Sequence, residues 1–341
     1  MPHSPLQNLS GVGIVAIGRN EGDRLRACLA SLPQGIPAVY VDSGSTDSSV
    51  ALAEEAGIHV VHLPTDQGFT AARARNAGWR ALLAEHPDLR FIQFLDGDCT
   101  LDPEWLPNAL AEIEKEDRIA VVFGRRRERF ASKSSYNAQC DREWNVPLGD
   151  AKSCGGDAMM RVGPLIEAKG YNDSLIAGEE PDLCLRMRNF GWRIKRIKPD
   201  MTMHDAAITD LGSWWKRAER AGHAYAEHVY LHRRSADPDW TKALFSMMAW
   251  AFILPSLLVF GLMLCAIYRP IWILVSVFVV LLFAFQFARL CLHCRKNGLS
   301  VKEGREEAFL LILAKFAHLA GALKFGLNHF TGRKAVLIEY K

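Results

Sequence analysis

The sequence predicts an α/β protein whose mostly parallel sheet, with helices on both faces, is followed by helices that cross a membrane. Three observations carry this. Short apolar runs alternate with helix-like stretches up to about Asp200, and polar residues collect just after those runs. From Leu244 to Ala288 the only charged residue is Arg269.

The strand-like runs are Val12–Ile17, Ala38–Val41, Ile58–Leu63, Phe91–Leu95 and Ile119–Phe123. Arg24–Ser31, Ser48–Ala56 and Ala71–Leu83 read as helices between them. Ligands of such sheets bind beyond the carboxyl ends of the strands. Arg19, Asn20 and Glu21 follow the first run, Asp42 and Ser43 the second, and Asp96 and Asp98 the fourth. In an extended chain residues i and i+2 project to one side, so the carboxylates of Asp96-Gly97-Asp98 can converge on a point. Two hard oxygens there suit Mg²⁺ or Mn²⁺ shared with substrate phosphates; the tripeptide alone reads equally as a turn after a strand.

The chain has 341 residues, 49% of them hydrophobic, with a formal net charge of +3. That length suits one large domain with an appendage, or two domains, and that charge excludes a dedicated nucleic-acid binder. Gly11-Val-Gly13 precedes its strand, and its third glycine is misplaced for a dinucleotide fingerprint. A G-x-x-x-x-G-K-[ST] phosphate loop is absent. The eight cysteines form no disulfide-like framework; Cys291-x-x-Cys294 lacks a second ligand pair, so reduced thiols in a cytosol-facing protein are expected. Met1-Pro-His-Ser-Pro5 does not begin like a secretory signal.

The apolar block from 244 divides at Tyr268-Arg269-Pro270 into two pieces, about 244–268 and 271–290, each near the ~20 residues that a span requires. Lys242, Arg289, Arg295 and Lys296 flank it, and the turn holds only Arg269, which predicts cytoplasmic flanks. The expected organisation is a cytoplasmic domain over 1–240, a transmembrane hairpin over 244–292 and a cytoplasmic tail over 293–341. Lys315, His318 and Lys324 interrupt the apolar stretch after Glu306. It reads as an interfacial helix on the cytoplasmic leaflet, with a third crossing as the alternative.

Ile17-Gly-Arg-Asn-Glu21, Val41-Asp-Ser-Gly-Ser-Thr-Asp47, Ala74-Arg-Asn-Ala-Gly78 and Leu95-Asp-Gly-Asp98 occur in the order and spacing of family 2 glycosyltransferases. Cys154-Gly-Gly-Asp157 and Gly178-Glu-Glu-Pro-Asp-Leu-Cys-Leu-Arg186 are similar to that family's acceptor-side loop and acidic motif. The resemblance spans roughly residues 10 to 235, and Leu337-Ile-Glu-Tyr-Lys341 resembles the tail of membrane-associated members. It implies a GT-A fold, a nucleotide-sugar donor, Mg²⁺ or Mn²⁺, and transfer with inversion.

The resemblance also implies roles. Asp98 would ligate the cation with Asp96 beside it, and Asp96 would contact the nucleotide ribose. Asn20, Glu21, Asp42 and Ser43 would read the nucleotide; where Ser43 stands many members carry a second aspartate, which leaves the base unassigned. Ser45 or Thr46 is expected to cap the next helix. Of the acids before Pro181, one favours the helix dipole and the other is the general base. Position selects Glu180, with Glu179 as fallback, and Asp182 is expected to face helix or solvent. His204, placed after a strand over Trp192–Ile197, is either structural or a third metal ligand with Asp98 and Asp96.

Arg217 and Arg220, one turn apart in a helix-like stretch, would clamp the diphosphate or form a basic face near anionic lipid. The literal Gln-x-x-Arg-Trp motif of processive relatives is absent there. Arg75, like Arg73, could serve donor or lipid, and Arg125-Arg-Arg127 is expected at the surface. The sequence thus points to a membrane-anchored inverting glycosyltransferase of the cytoplasmic (inner) membrane. Its acceptor would be lipid-linked or a glycan, as in polysaccharide or glycolipid assembly. Alternatives are a sugar nucleotidyltransferase, or a non-catalytic subunit that binds nucleotide sugars for a membrane glycan synthase.

Overall fold

A computed structural model describes residues 9–64, 68–233 and 237–332 of the chain. The chain divides into two units, Met1–Ala207 and Ile208–Lys341. The tail motif at 337–341 lies outside the described residues.

The first unit is built on nine strands: β1 (Val12–Gly18), β2 (Ala38–Asp42), β3 (His59–His62), β4 (Phe91–Asp96), β5 (Cys99–Leu101), β6 (Ile119–Glu128), β7 (Gly149–Ala151), β8 (Ala158–Arg161) and β9 (Arg193–His204). Its helices are α1 (Asp23–Ala30), α2 (Ser49–Glu55), α3 (Ala71–Glu85), α4 (Trp105–Ile113), α5 (Ser135–Glu143), α6 (Val162–Glu167) and α7 (Glu179–Asn189). All the strands and helices expected before Asp200 are present.

The strand order is β3-β2-β1-β4-β8-β6-β9-β5, with β7 also on β9. From β3 to β4 every pairing is parallel. Beyond β4 the sheet is mixed: β8 runs antiparallel to both neighbours, and β5 and β7 run antiparallel to β9. β1, with no strongly polar residue, is buried almost throughout, as a strand covered on both faces requires. Gly78 lets α3 lie close on this half; a Cβ there would stand 2.3 Å from a Val15 methyl and 2.9 Å from one of Val41. The buried amide of Gln93 on β4 accepts a hydrogen bond from the Trp105 indole (2.7 Å), so the core keeps its polar group satisfied.

β9 extends to His204, making that residue the strand's last rather than one beyond a strand ending at Ile197. Its pairing with β6 is irregular on either side of Arg125. A strand bulged in this way loses strict two-residue alternation.

The second unit comprises α8 (Leu211–Leu231), α9 (Pro238–Met247), α10 (Leu254–Ile267), α11 (Ile273–Lys296) and α12 (Val301–Thr331). A π-helical stretch, Met248–Ile253, joins α9 to α10 just before Pro255, whose missing N–H breaks the regular helical ladder. Three continuous helical segments, Pro238–Ile267, Pro270–Lys296 and Val301–Thr331, are long and apolar enough to cross a membrane. The break between the first two falls at the expected turn. α12, expected to be interfacial, meets the length and composition of a span as well. The sequence boundary at 240 would place α8 with the sheet, but the unit division places it with the C-terminal helices.

Small residues set the helix contacts in this unit. The Ser276 hydroxyl donates to the Leu258 carbonyl (2.8 Å), and a Cβ on Gly261 would stand 2.7 Å from that hydroxyl. A Cβ on Gly222 of α8 would lie 2.1 Å from the His318 carbonyl oxygen, and one on Gly321 of α12 would lie 1.9 Å from that of Glu219. Glycine is required at both positions for backbones to approach so closely.

Candidate active site

The loops after β1 and β2 are stitched together by the residues expected to read a nucleotide. Asn20 has left-handed backbone, φ 56°, a conformation asparagine tolerates. Its side-chain oxygen accepts from Thr46 N–H (2.7 Å), and its own N–H donates to Ser45 Oγ (2.9 Å). Asp42 is buried, and its Oδ2 accepts from the N–H groups of Gly44 and Ser45 at 2.9 and 3.0 Å. Ser43 is buried beside it, and Glu21 pairs with Arg24 at 2.9 Å. Ser45 and Thr46 do not cap α2. The helix begins at Ser49, too far downstream for them, and Ser49 N–H is instead bonded by the Asp47 carboxylate (2.9 Å).

From the end of β4 to the start of α7 runs a chain of alternating charges. Arg75, carried inward on α3 and 2% exposed, donates to Asp96 Oδ1 at 2.8 Å and to Glu179 Oε1 at 3.0 Å, and lies 2.8 Å from Glu180 Oε1. Burying a guanidinium is costly unless it is paired, and here three carboxylates surround it. This excludes a lipid-facing role for Arg75. Arg73, by contrast, is turned onto loop carbonyls of Gly68 and Pro64. Gly156 makes room at the junction: a Cβ there would stand 2.4 Å from Arg75 Nη2 and 2.8 Å from Asp96 Oδ2.

Glu179 and Glu180 open α7 after Gly178, whose φ of 79° turns the chain sharply into the helix. Burial, and then the neighbouring Glu179, push the Glu180 carboxyl up to about 7 against the opposing pull of Arg75. Asp182 is buried rather than solvent-facing, and Arg186, one turn on, pairs with it at 2.7 Å.

The expected surface run Arg125-Arg-Arg127 is corrected by the structure. Only Arg127 is well exposed; Arg125 is buried and held by Asp141 at 2.8 Å. Arg126 points into the site. Its Nη1 and Nη2 each lie 3.2 Å from Asp96 Oδ2, Nη2 lies 3.8 Å from Asp98 Oδ1, and Nε lies 3.6 Å from Asp157 Oδ2. The bulges in β6 scramble the alternation that would have revealed which arginine faces inward. Burial alone would raise the Asp96 carboxyl, but Arg75 and Arg126 more than offset it and hold it far below the usual range.

Asp98 and His204 meet, with Asp98 Oδ2 3.3 Å from His204 Nε2. Behind the ring, Glu128 Oε2 lies 3.1 Å from Nδ1. A carboxylate bonded to Nδ1 fixes the tautomer that presents a lone pair at Nε2, the arrangement of metal-ligating histidines. Burial, then Arg126, lower the His204 pKa from its ordinary value against the opposing pull of Glu128, and this lowering favours the neutral ring. Among the described residues, the only group of three potential ligands is Asp98, Cys99 and His204. Burial pushes the Cys99 thiol up, away from the thiolate form that would bind a metal. Asp98 and His204 therefore fit a hard cation, and both oxygens of Asp96 are engaged by guanidinium groups. Asp157, expected in an acceptor-side loop, lies just before β8 and accepts the Asp96 N–H (2.9 Å) while bonding Thr202.

The expected residues thus fall into groups. Glu179, Glu180, Arg75 and Asp96 form one cluster, Asp98 and His204 another, and Arg126 bridges them through Asp96 and Asp98, while Asn20, Glu21, Asp42 and Ser43 line the neighbouring strand ends. Arg217 and Arg220 belong to α8 of the second unit. Arg126, Glu128 and Asp157 are the additions.

Residues 14–157 match the model of glycosyl transferase family 2. A pre-mycofactocin glycosyltransferase of Mycobacterium tuberculosis is 26% identical over 263 residues, 70% of this chain and 52% of that protein. An uncharacterized glycosyltransferase of Mycobacterium bovis is 34% identical over 108 residues, 32% of this chain and 45% of the relative. The chain spans about half the length of the curated relatives it matches. A mannosyltransferase of Pyrobaculum calidifontis, solved with GDP-Man and Mn²⁺, has a similar fold, with a TM-score of 0.56 at 14% identity over 93% of this chain and 87% of that one.

Proposed function

We propose that this chain, which carries a family 2 glycosyl transferase domain, is an inverting glycosyltransferase anchored in a membrane and dependent on Mg²⁺ or Mn²⁺. The observation that supports it most is the network joining Glu180, through Arg75, Asp96 and Arg126, to Asp98 and His204. A candidate base and a candidate cation site lie at opposite ends of one buried charge chain.

Asp98 Oδ2 and His204 Nε2 would hold the cation, and Glu128 would keep the imidazole turned toward it. When bound, that ion neutralises the charge that gathers on a departing nucleoside diphosphate. Asp96, fixed by Arg75, Arg126 and the Asp157 bond to its N–H, would position the ribose side of the donor. Glu180 would take the proton from the acceptor hydroxyl as its oxygen attacks the anomeric carbon, while the bond to phosphate breaks with its electron pair going to the leaving group. A carboxyl poised near pH 7 suits that exchange. Arg217 and Arg220 on α8 would supply charge to anionic lipid. The spans would place the protein in the cytoplasmic membrane with the sheet on the cytoplasmic side, which favours a lipid-linked or glycan acceptor.

Full-length protein in detergent, given a panel of nucleotide sugars with Mn²⁺, is expected to bind one donor and release its nucleoside phosphate. Glu180→Gln should retain that binding and lose turnover. Pyrophosphate as the product, or a Glu180→Gln variant with full turnover, would overturn the reading.

A further inference from the structure

Arg126 puts a positive charge beside the Asp98–His204 pair. Its guanidinium lies within 3.2 to 3.8 Å of oxygens from Asp96, Asp98 and Asp157, and the ring of Trp144 packs 4.9 Å from it. Trp144 also lies edge-on to His204, with centroids 4.8 Å apart, so one indole touches both the arginine and the imidazole. Of the Asp98 oxygens, Oδ2 faces His204 and Oδ1 faces Arg126 and the Cys99 thiol. A divalent ion held by Asp98 and His204 would therefore share its carboxylate with a guanidinium and be repelled by it.

We propose that Arg126 is a resident competitor of the divalent cation, holding down the affinity of Asp98 and His204 for metal until an anion draws the guanidinium away. This rests on the cation site argued above. The pairing has the required character: three close carboxylates, an aromatic ring packed against the guanidinium, and small residual exposure (14%). By linkage, whatever anion recruits Arg126 strengthens cation binding, and the cation strengthens binding of that anion by the same factor. A diphosphate is the chemistry that would do so, since arginine pairs with it through a planar fork. Arg126 acts here as a positioning residue, making metal and donor arrive together.

The test is Mn²⁺ binding to full-length protein in detergent, with the metal alone, followed by paramagnetic resonance and calorimetry. Arg126→Met is expected to bind Mn²⁺ at least tenfold more tightly than the wild-type protein. Arg126→Gln carries the same expectation should the methionine variant fail to fold. Arg126→Lys, which keeps the charge, should stay within about threefold of wild type. Adding His204→Ala to Arg126→Met should abolish the gain. Unchanged or weaker affinity in both neutral variants, with His204→Ala still weakening binding, overturns the competition and leaves the cation site standing. If Asp98→Asn and His204→Ala leave Mn²⁺ affinity unchanged, the site reading falls and the proposal falls with it.

Discussion

The two ends of the charge network put the same parts to opposite uses. At the base end one guanidinium, Arg75, serves Asp96, Glu179 and Glu180; at the cation end Arg126 serves Asp96, Asp98 and Asp157. Asp96 is the hinge between them. At the base end two adjacent carboxylates crowd each other in a buried site, so Glu180 keeps a proton to about pH 7. At the cation end an imidazole replaces the second carboxylate, and burial together with Arg126 keeps it neutral. Burial and a neighbouring acid suit Glu180 to its proposed role as proton acceptor; an acid beside a neutral base suits Asp98 and His204 to theirs as ligands.

Removing the base should widen that contrast most. Glu180→Gln is expected to lower turnover by about 10²–10⁴, the usual weight of a general base, with donor affinity changed by less than about threefold in equilibrium binding. The matching break at the other end is Glu128→Gln, which should weaken Mn²⁺ binding by about 10–100-fold, as loss of a carboxylate behind a ligating histidine does. Acidity discriminates the ends without mutation. As the proposed base Glu180 would have to be deprotonated, so kcat/KM should fall about tenfold per pH unit below about 7 and level off above it. A profile flat from pH 5 to 8 would show that another group takes the proton. The smallest effect should come next door to Arg126. Arg127 is 46% exposed and has ion pairs of 3.5 and 3.6 Å, so Arg127→Ala should leave turnover unchanged and alter unfolding free energy by less than about 0.5 kcal/mol.

The sheet was legible because β1, β2 and β4 are apolar runs bounded by polar turns, and the polar residues just beyond them mark their carboxyl ends. Asp98, Glu180 and His204 could be found for the same reason, each sitting where a regular element starts or stops. Arg126 and Glu128 could not. They lie inside a strand whose pairing is irregular around Arg125, and a run of three arginines there has the composition of a solvated edge. Asp157 was visible as a motif residue, but its two bonds, to Asp96 N–H and Thr202, join strands that only the folded sheet brings together. The helix cap expected of Ser45 and Thr46 failed because α2 begins only at Ser49, and both hydroxyls are bonded to a longer-range partner, Asn20, instead. Local capping rules compete with such partners and can lose to them.

The close crossing of Gly222 with His318, and of Gly321 with Glu219, bears on how the chain is made. Ninety-six residues separate Gly222 from His318, so at ribosomal rates of about 5–20 residues per second α8 emerges roughly 5–20 s before the helix that covers it. During that interval both apolar helices of the hairpin are synthesised, and the face of α8 around Gly222 waits bare. A helix with its contact face formed but its partner unmade is a natural client for a chaperone or for the insertion machinery. The timing of synthesis, rather than the finished contact, would then decide whether the C-terminal unit assembles correctly.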